Sequence, residues 1–161
     1  MNKFISTLCY SGLSPVAPGT FGSFLALVLI FPLAFFPQNA WLILLFFLVA
    51  TALGFYAIPQ YLQGKTDDLQ EIVIDEAAGL YLTILISTIL LRTFGVKTNA
   101  FVLFGLSFIF FRIFDITKPL IIGYYDRTLK GATGIMVDDL LAGIFAGISL
   151  TIMLTAFYTF K

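Results

Sequence analysis

The stretch Ala40–Ile58 reads AWLILLFFLVATALGFYAI, nineteen residues without a charge. At about 1.5 Å of rise per residue it makes a helix ~28 Å long, close to the ~30 Å hydrocarbon core of a bilayer. Leu140–Phe160 (LLAGIFAGISLTIMLTAFYTF) reaches spanning length in the same way. Thr20–Phe36 qualifies at the lower limit, with Pro32 expected to bend it. Ala77–Leu91 and Asn99–Phe111 are short. They span only if Asp75 and Glu76 on one, and Arg112 on the other, lie at helix mouths. The sequence therefore predicts an all-α integral membrane helical bundle of about five spanning helices, with four as the rival count, built as a single domain over residues 1–161.

Composition points the same way. Of 161 residues, 60% are hydrophobic and 11% charged, where a soluble domain carries ~25% charged residues. Nine basic and nine acidic residues balance, leaving no net field to attract nucleic acid. The chain has no histidine, which excludes Ser-His-Asp and Cys-His triads, His-bound zinc and phosphohistidine chemistry. The single cysteine, Cys9, cannot form an intrachain disulfide and reads as a small apolar filler. Lys3 is the only early charge, and Pro15 and Pro18 interrupt before any cleavage pattern, so the start is not read as a secretory signal.

Five spans sort the loops onto two faces. One holds residues 1–19, 59–76 and 112–139, with Lys3, Lys65, Arg112, Lys118, Arg127 and Lys130. The other holds the tight turn Pro37-Gln38-Asn39, Arg92, Lys97 and the terminal Lys161. Six cations against three place the first face in the cytoplasm. Trp41 suits an interfacial anchor. All nine carboxylates fall on the cytoplasmic face too. Acidic residues do not themselves favour that face, so their clustering there is a separate sign of one site.

Four segments carry the candidate chemistry. In Gly12–Ser23 (GLSPVAPGTFGS), prolines and glycines make a turn running into the first span. Thr20 or Ser23 is expected to cap that helix, and such a helix end attracts phosphate. In the second segment, Asp67, Asp68 and Glu71 read as a solvated acidic turn, whereas Asp75 and Glu76 follow Ile-Val-Ile and open an apolar helix. Deep in a span an ionised Asp costs ~2.5–3.5 kcal/mol, while a helix dipole offers only ~0.3–1 kcal/mol. Two adjacent acids there call for a cation. In the third, Arg112 and Asp115 form an i,i+3 pair near Lys118 and Pro119. The fourth, entering the last span, holds Arg127, Lys130 and the pair Asp138-Asp139, which is expected to open a helix as Asp75-Glu76 does. Gly79 lies four residues after Asp75, and Gly143 four after Asp139. With Gly147 they allow close helix packing, within one chain or between copies in a homo-oligomer.

Five acids on one face repel one another unless a divalent ion binds, and an all-oxygen donor set selects Mg²⁺, Mn²⁺ or Ca²⁺. Interleaved Arg and Lys suit a phosphate beside the metal. The combination suggests metal-assisted phosphoryl chemistry on a lipid headgroup.

The motifs SPVAPGTFGS (14–23), IVIDEAAG (72–79), FRIFDITKP (111–119), YDR (125–127) and GIMVDDLLAG (134–143) together resemble the phosphatidylglycerophosphatase A family. The chain departs from that family's usual pattern at Leu120-Ile121-Ile122, where a second proline is common, and at Ala132, where glycines are paired. The resemblance implies a bacterial inner-membrane enzyme that hydrolyses phosphatidylglycerophosphate to phosphatidylglycerol and phosphate, with Mg²⁺ assisting attack by water and the active site facing the cytoplasm. On this reading Asp75, Glu76, Asp138 and Asp139 hold one or two Mg²⁺, and Asp115 is a further ligand or the base that orients water. Arg112, Lys118 and Thr20 stabilise the reacting phosphoryl group, and Ser23, Arg127 and Lys130 bind substrate. A phospho-aspartyl intermediate stays open. The rivals are a divalent-cation-binding transporter or channel and an assembly subunit that binds anionic membrane lipid through its basic loop.

Overall fold

A computed structural model describes residues 1–36, 40–63, 69–119 and 121–160, without the Asp126 side chain. The turn Pro37–Asn39, Lys65, Asp67, Asp68, Leu120 and Lys161 lie outside the described residues. Those that are described form helices and turns with no strand among them. The helices are α1 (Asn2–Ser6), α2 (Pro18–Ile30), α3 (Ala40–Leu62), α4 (Ile74–Thr93), α5 (Ala100–Thr117), α6 (Ile121–Thr128) and α7 (Gly131–Thr159). α2 passes into a 3₁₀ turn over Phe31–Phe35, where Pro32 cannot continue the α-helical ladder. Counting α2 with that turn, five helices among the described residues are long and apolar enough to cross a membrane.

α4 is the hub of the bundle. It is buried along most of its length, whereas α2, α3 and α5 bury less than a third of theirs. The exposed faces carry large apolar side chains such as Phe24, Leu45, Leu48 and Ile152, while buried positions on α4 include Gly79, Thr83 and Ser87. This inside-out pattern belongs to a chain solvated by lipid, where helices associate through small residues and interhelical hydrogen bonds. Trp41 is exposed at the second residue of α3, as an interfacial residue should be.

α4 and α7 run parallel and cross at glycine. A Cβ placed on Gly143 would lie 2.5 Å from the Gly79 carbonyl oxygen. Thr83 Oγ1 donates to the Gly143 carbonyl at 3.2 Å, and one turn on Ser87 Oγ donates to that of Gly147, also at 3.2 Å. The small residues seen in the sequence thus serve packing within one chain. α5 packs antiparallel to α7, with Phe114 stacked on Phe145 and Phe111 fully buried against Gly79.

Several expectations change. α7 begins at Gly131, so Asp138 and Asp139 are its eighth and ninth residues rather than its opening. At 29 residues α7 is ~44 Å long, longer than a bilayer core. α6 and the first turns of α7 replace much of the expected 112–139 loop. Thr20 and Ser23 do not cap α2, because Pro18 takes the first helical position and Ala17 the cap. Cys9 is exposed, in a run of three left-handed residues (φ 42° to 66°) from Leu8 to Tyr10, so it fills no core. Glu71 is half-buried rather than solvated. Tyr61 Oη donates to it at 2.6 Å, and Lys3 Nζ lies 4.0 Å away.

Candidate active site

The first turn of α4 supplies Asp75 and Glu76, and α7 supplies Asp138 and Asp139. Because Gly79 and Gly143 meet, the two acid pairs stand about one helical turn above the same crossing. The C-terminal end of α5 adds Asp115 and Lys118. These six side chains line one cavity of about 440 Å³. Its remaining wall comes from the Pro15–Gly19 turn, together with Gln70 and Ile72.

All four acids on α4 and α7 are buried. Arg112 Nη1 donates to Glu76 Oε2 at 2.7 Å and to Asp115 Oδ2 at 2.6 Å. Lys118 Nζ pairs with Asp138 Oδ2. Ser23, fully buried on α2, donates to Glu76 Oε2 and accepts from Arg112 Nη1 at 3.3 Å. Arg112 Nη2 donates to Thr20 Oγ1 at 3.2 Å. Five carboxylates thus face two cations, and Asp139 feels the charge of the other four acids. Its Oδ2 is buried and makes no hydrogen bond among the described residues.

Two residues bordering the cavity hold a left-handed backbone without being glycine: Ala17 (φ 46°) and Lys118 (φ 39°). Such a conformation costs ~1–2 kcal/mol. It persists where the surrounding structure fixes it, and such strain gathers at functional sites. At Lys118 it ends α5 and turns the chain towards α6. At Ala17 it sets the direction of α2, whose first-turn N–H groups lack helical acceptors and border the cavity. A Cβ on Gly19 in that turn would run into Glu76 Oε1, so a side chain there would displace that carboxylate.

The site residues expected from sequence divide into three groups. Asp75, Glu76, Asp115, Lys118, Asp138 and Asp139 meet at the cavity. Arg112, Thr20 and Ser23 lie behind the acids and hold them. Arg127 and Lys130 are exposed and are not among the residues lining the cavity. Gly19, Gln70 and Ile72 were not expected. Gly19 stood inside a quoted motif, but no spacing rule brings it against an acid 57 residues away.

Hard oxygen donors at Asp75, Glu76, Asp138 and Asp139, with a buried carboxylate oxygen left unsatisfied at Asp139, fit a divalent cation such as Mg²⁺. Among the described residues no three acids are drawn together as a ready-made cage. Arg112 is paired with Glu76 and Asp115, and Lys118 with Asp138.

The family model for Phosphatidylglycerophosphatase A matches residues 4–154. The chain belongs to this family. Among its relatives is the Phosphatidylglycerophosphatase A of Escherichia coli (strain K12), 33% identical over 137 residues that cover 84% of this chain and 73% of that protein. The Phosphatidylglycerophosphatase A of Haemophilus influenzae is 34% identical over 142 residues, covering 84% and 78%. A Bacteroides thetaiotaomicron protein named "Putative phosphatidylinositol-3-phosphatase" is 32% identical over 145 residues, covering 88% and 86%. No solved structure matches the chain. The family match, over residues 4–154, includes every residue that lines the acidic cavity.

Proposed function

We propose that this chain is a lipid phosphatase of the inner membrane, which hydrolyses the terminal phosphomonoester of phosphatidylglycerophosphate at the cytoplasmic face. The observation that carries the reading is the charge of the cavity. Five carboxylates and two cations line or brace it, in a chain whose family members are named for a phosphate ester. An anionic phosphate is repelled from such a cavity unless further positive charge accompanies it. Asp75, Glu76, Asp138 and Asp139 would hold Mg²⁺, which when bound supplies Lewis-acid charge opposite the phosphoryl oxygens.

The chain's own residues divide the remaining work. Lys118, on the cavity wall, binds a phosphoryl oxygen and gives up part of its pairing with Asp138 as substrate arrives. Arg112 holds Glu76 and Asp115 in place and offers its guanidinium to the phosphate from the outer side, supported by Thr20. Ser23 orients Glu76. Asp115 takes a proton from the attacking water as the new oxygen–phosphorus bond forms. The bond from phosphorus to the glycerol oxygen breaks, and that oxygen leaves with the proton. Arg127 on α6 and Lys130 at the start of α7, both exposed, would meet the lipid's second phosphate or neighbouring anionic headgroups.

The test is inorganic phosphate release by purified protein in mixed micelles. Phosphatidylglycerophosphate, phosphatidic acid and phosphatidylinositol 3-phosphate would each be offered with Mg²⁺ and with chelator. Mg²⁺-dependent release, fastest from the first lipid, is the expected result. Faster release from the inositol lipid would move the substrate towards the name of the Bacteroides relative. Absence of release from all three, by folded protein, would remove the phosphatase reading and favour an ion-binding one.

The Gly19 contact gives a second expectation. Gly19→Ala pushes a methyl group into Glu76 Oε1 and displaces that carboxylate with its partners Ser23 and Arg112. Turnover should fall by up to ~10²-fold, the effect of a misplacement near 1 Å, with extraction and thermal stability close to wild type. Unchanged turnover would show that the position of Glu76 does not matter to the reaction.

A further inference from the structure

We infer that an apolar groove between α2 and α5 holds an acyl chain of the lipid whose phosphate enters the acidic cavity, and that Arg112 stands at the junction of the two. This rests on the phosphatase reading and adds where the lipid lies. The groove has a volume of about 410 Å³ and opens on the outer surface of the bundle. Its floor is a stripe of α5, Ile109, Ile113 and Ile116 at i, i+4 and i+7, with Phe108 beside it and Thr20 of α2 on the facing wall. Ile113 is 50% exposed and Ile116 68%, so the stripe is not closed by the chain's own packing.

Three observations tie this groove to the site. Arg112 sits in the middle of the stripe as its one charged residue, and its Nη1 bonds both Glu76 and Asp115, which line the cavity. Thr20 lines the groove and accepts from Arg112 Nη2, so the wall separating groove from cavity is a single arginine and its partners. One turn further from the acids, Phe24 meets Phe108 edge-on with ring centroids 6.5 Å apart, which brings α2 and α5 together again. Phe108 to Thr117 spans ~14 Å along α5, about the depth of one leaflet of a ~30 Å core. A lipid standing in one leaflet can therefore lay a chain along the stripe while its headgroup phosphate passes Arg112. The apolar groove binds by area, the positive charge held by the acids binds the phosphate, and Arg112 serves the boundary between the two.

The experiment compares phosphate release from dioleoyl and from dihexanoyl phosphatidylglycerophosphate, both in detergent micelles with Mg²⁺. Ile113→Trp fills the groove, and Ile109→Trp fills it one turn deeper. Each should lower the ratio of long-chain to short-chain turnover about tenfold or more. Ile152→Trp, on the exposed surface of α7 and outside the groove, is the control and should leave the ratio as in wild type. An unchanged ratio in both groove variants overturns the inference, whether or not absolute rates fall, and so does an equal change in the control. Wild-type protein that releases phosphate from neither lipid overturns the phosphatase reading itself. An active wild type with an indifferent ratio overturns the groove alone.

Discussion

Asp138→Asn is expected to lower phosphate release roughly 10²–10³-fold, the range found when one group that stabilises the reacting charge is removed. The substitution keeps the shape of the side chain and removes its charge. Asp138 is buried beside Asp139 on α7 and bonded to Lys118, so it serves both as a donor oxygen for a cation and as a partner of the lysine. The two roles can be separated. If Asp138 only neutralises Lys118, its loss should mainly destabilise the protein, because breaking a buried ion pair leaves a charge uncompensated. Lys118 is 29% exposed in its side chain, which keeps that penalty well below that of a fully buried pair. Adding Lys118→Met should then restore stability but not turnover, since Lys118 itself binds the phosphoryl group. If the carboxylate is needed for the cation, Asp138→Asn alone should also raise the Mg²⁺ concentration required for half-maximal release, which a role confined to Lys118 would leave unchanged. Thermal unfolding and phosphate release measured on the two single variants and the double variant complete the cycle. Near-wild-type release from Asp138→Asn would remove this residue from the mechanism.

The difference between sequence and structure follows from what each segment depends on. The spans were legible because hydrocarbon thickness fixes helix length almost independently of tertiary contacts. The two short segments reach spanning length as the sequence requires, by taking their charged ends into the helix: α4 from Ile74 with both acids in its first turn, α5 to Thr117 with Arg112 and Asp115 inside. That the acids would gather was legible too, since ionised groups inside apolar helices are too costly to place without partners, and they do meet at one cavity. The start of α7 was not. Gly131, Thr133 and Gly134 have poor helix propensity and read as loop, yet the helix begins at Gly131, and Gly134 packs so closely on the Leu129 carbonyl five residues back that a Cβ would collide with it. Ser23 likewise looked like a cap in sequence. It lies one turn inside α2, and its bond to Glu76 joins residues 53 apart in the chain. No local rule reports such a pairing. The same holds for Arg112, whose i,i+3 bond to Asp115 was readable while its bonds to Glu76 and Thr20 depended on how three helices assemble.

Gly143→Leu should have the largest structural effect of any single change considered. The first atom of the new side chain would stand 2.5 Å from the Gly79 carbonyl oxygen and 3.2 Å from its Cα. Both are backbone, so no rotamer change relieves the clash, and α4 and α7 must move apart. Overpacking of this kind costs ~1–3 kcal/mol and occasionally more. Separation also breaks the hydrogen bonds from Thr83 to Gly143 and from Ser87 to Gly147, each worth about 0.6 kcal/mol in a membrane. The acid pairs stand one turn above this crossing, so a shift of the helices reaches Asp75 and Asp139 directly. Stability and turnover should therefore fall together: a lower unfolding temperature in detergent, a reduced yield of monodisperse protein, and phosphate release down by 10²-fold or more, as misplacement near 1 Å produces. Gly105→Leu provides the comparison. Gly105 lies within α5, and a Cβ there meets nothing within 4 Å, so the same substitution should leave both readouts near wild type. If Gly143→Leu kept full stability and activity, the α4–α7 crossing would not be what sets the geometry of the acids, and their alignment would have to come from the α5 side through Arg112 and Lys118.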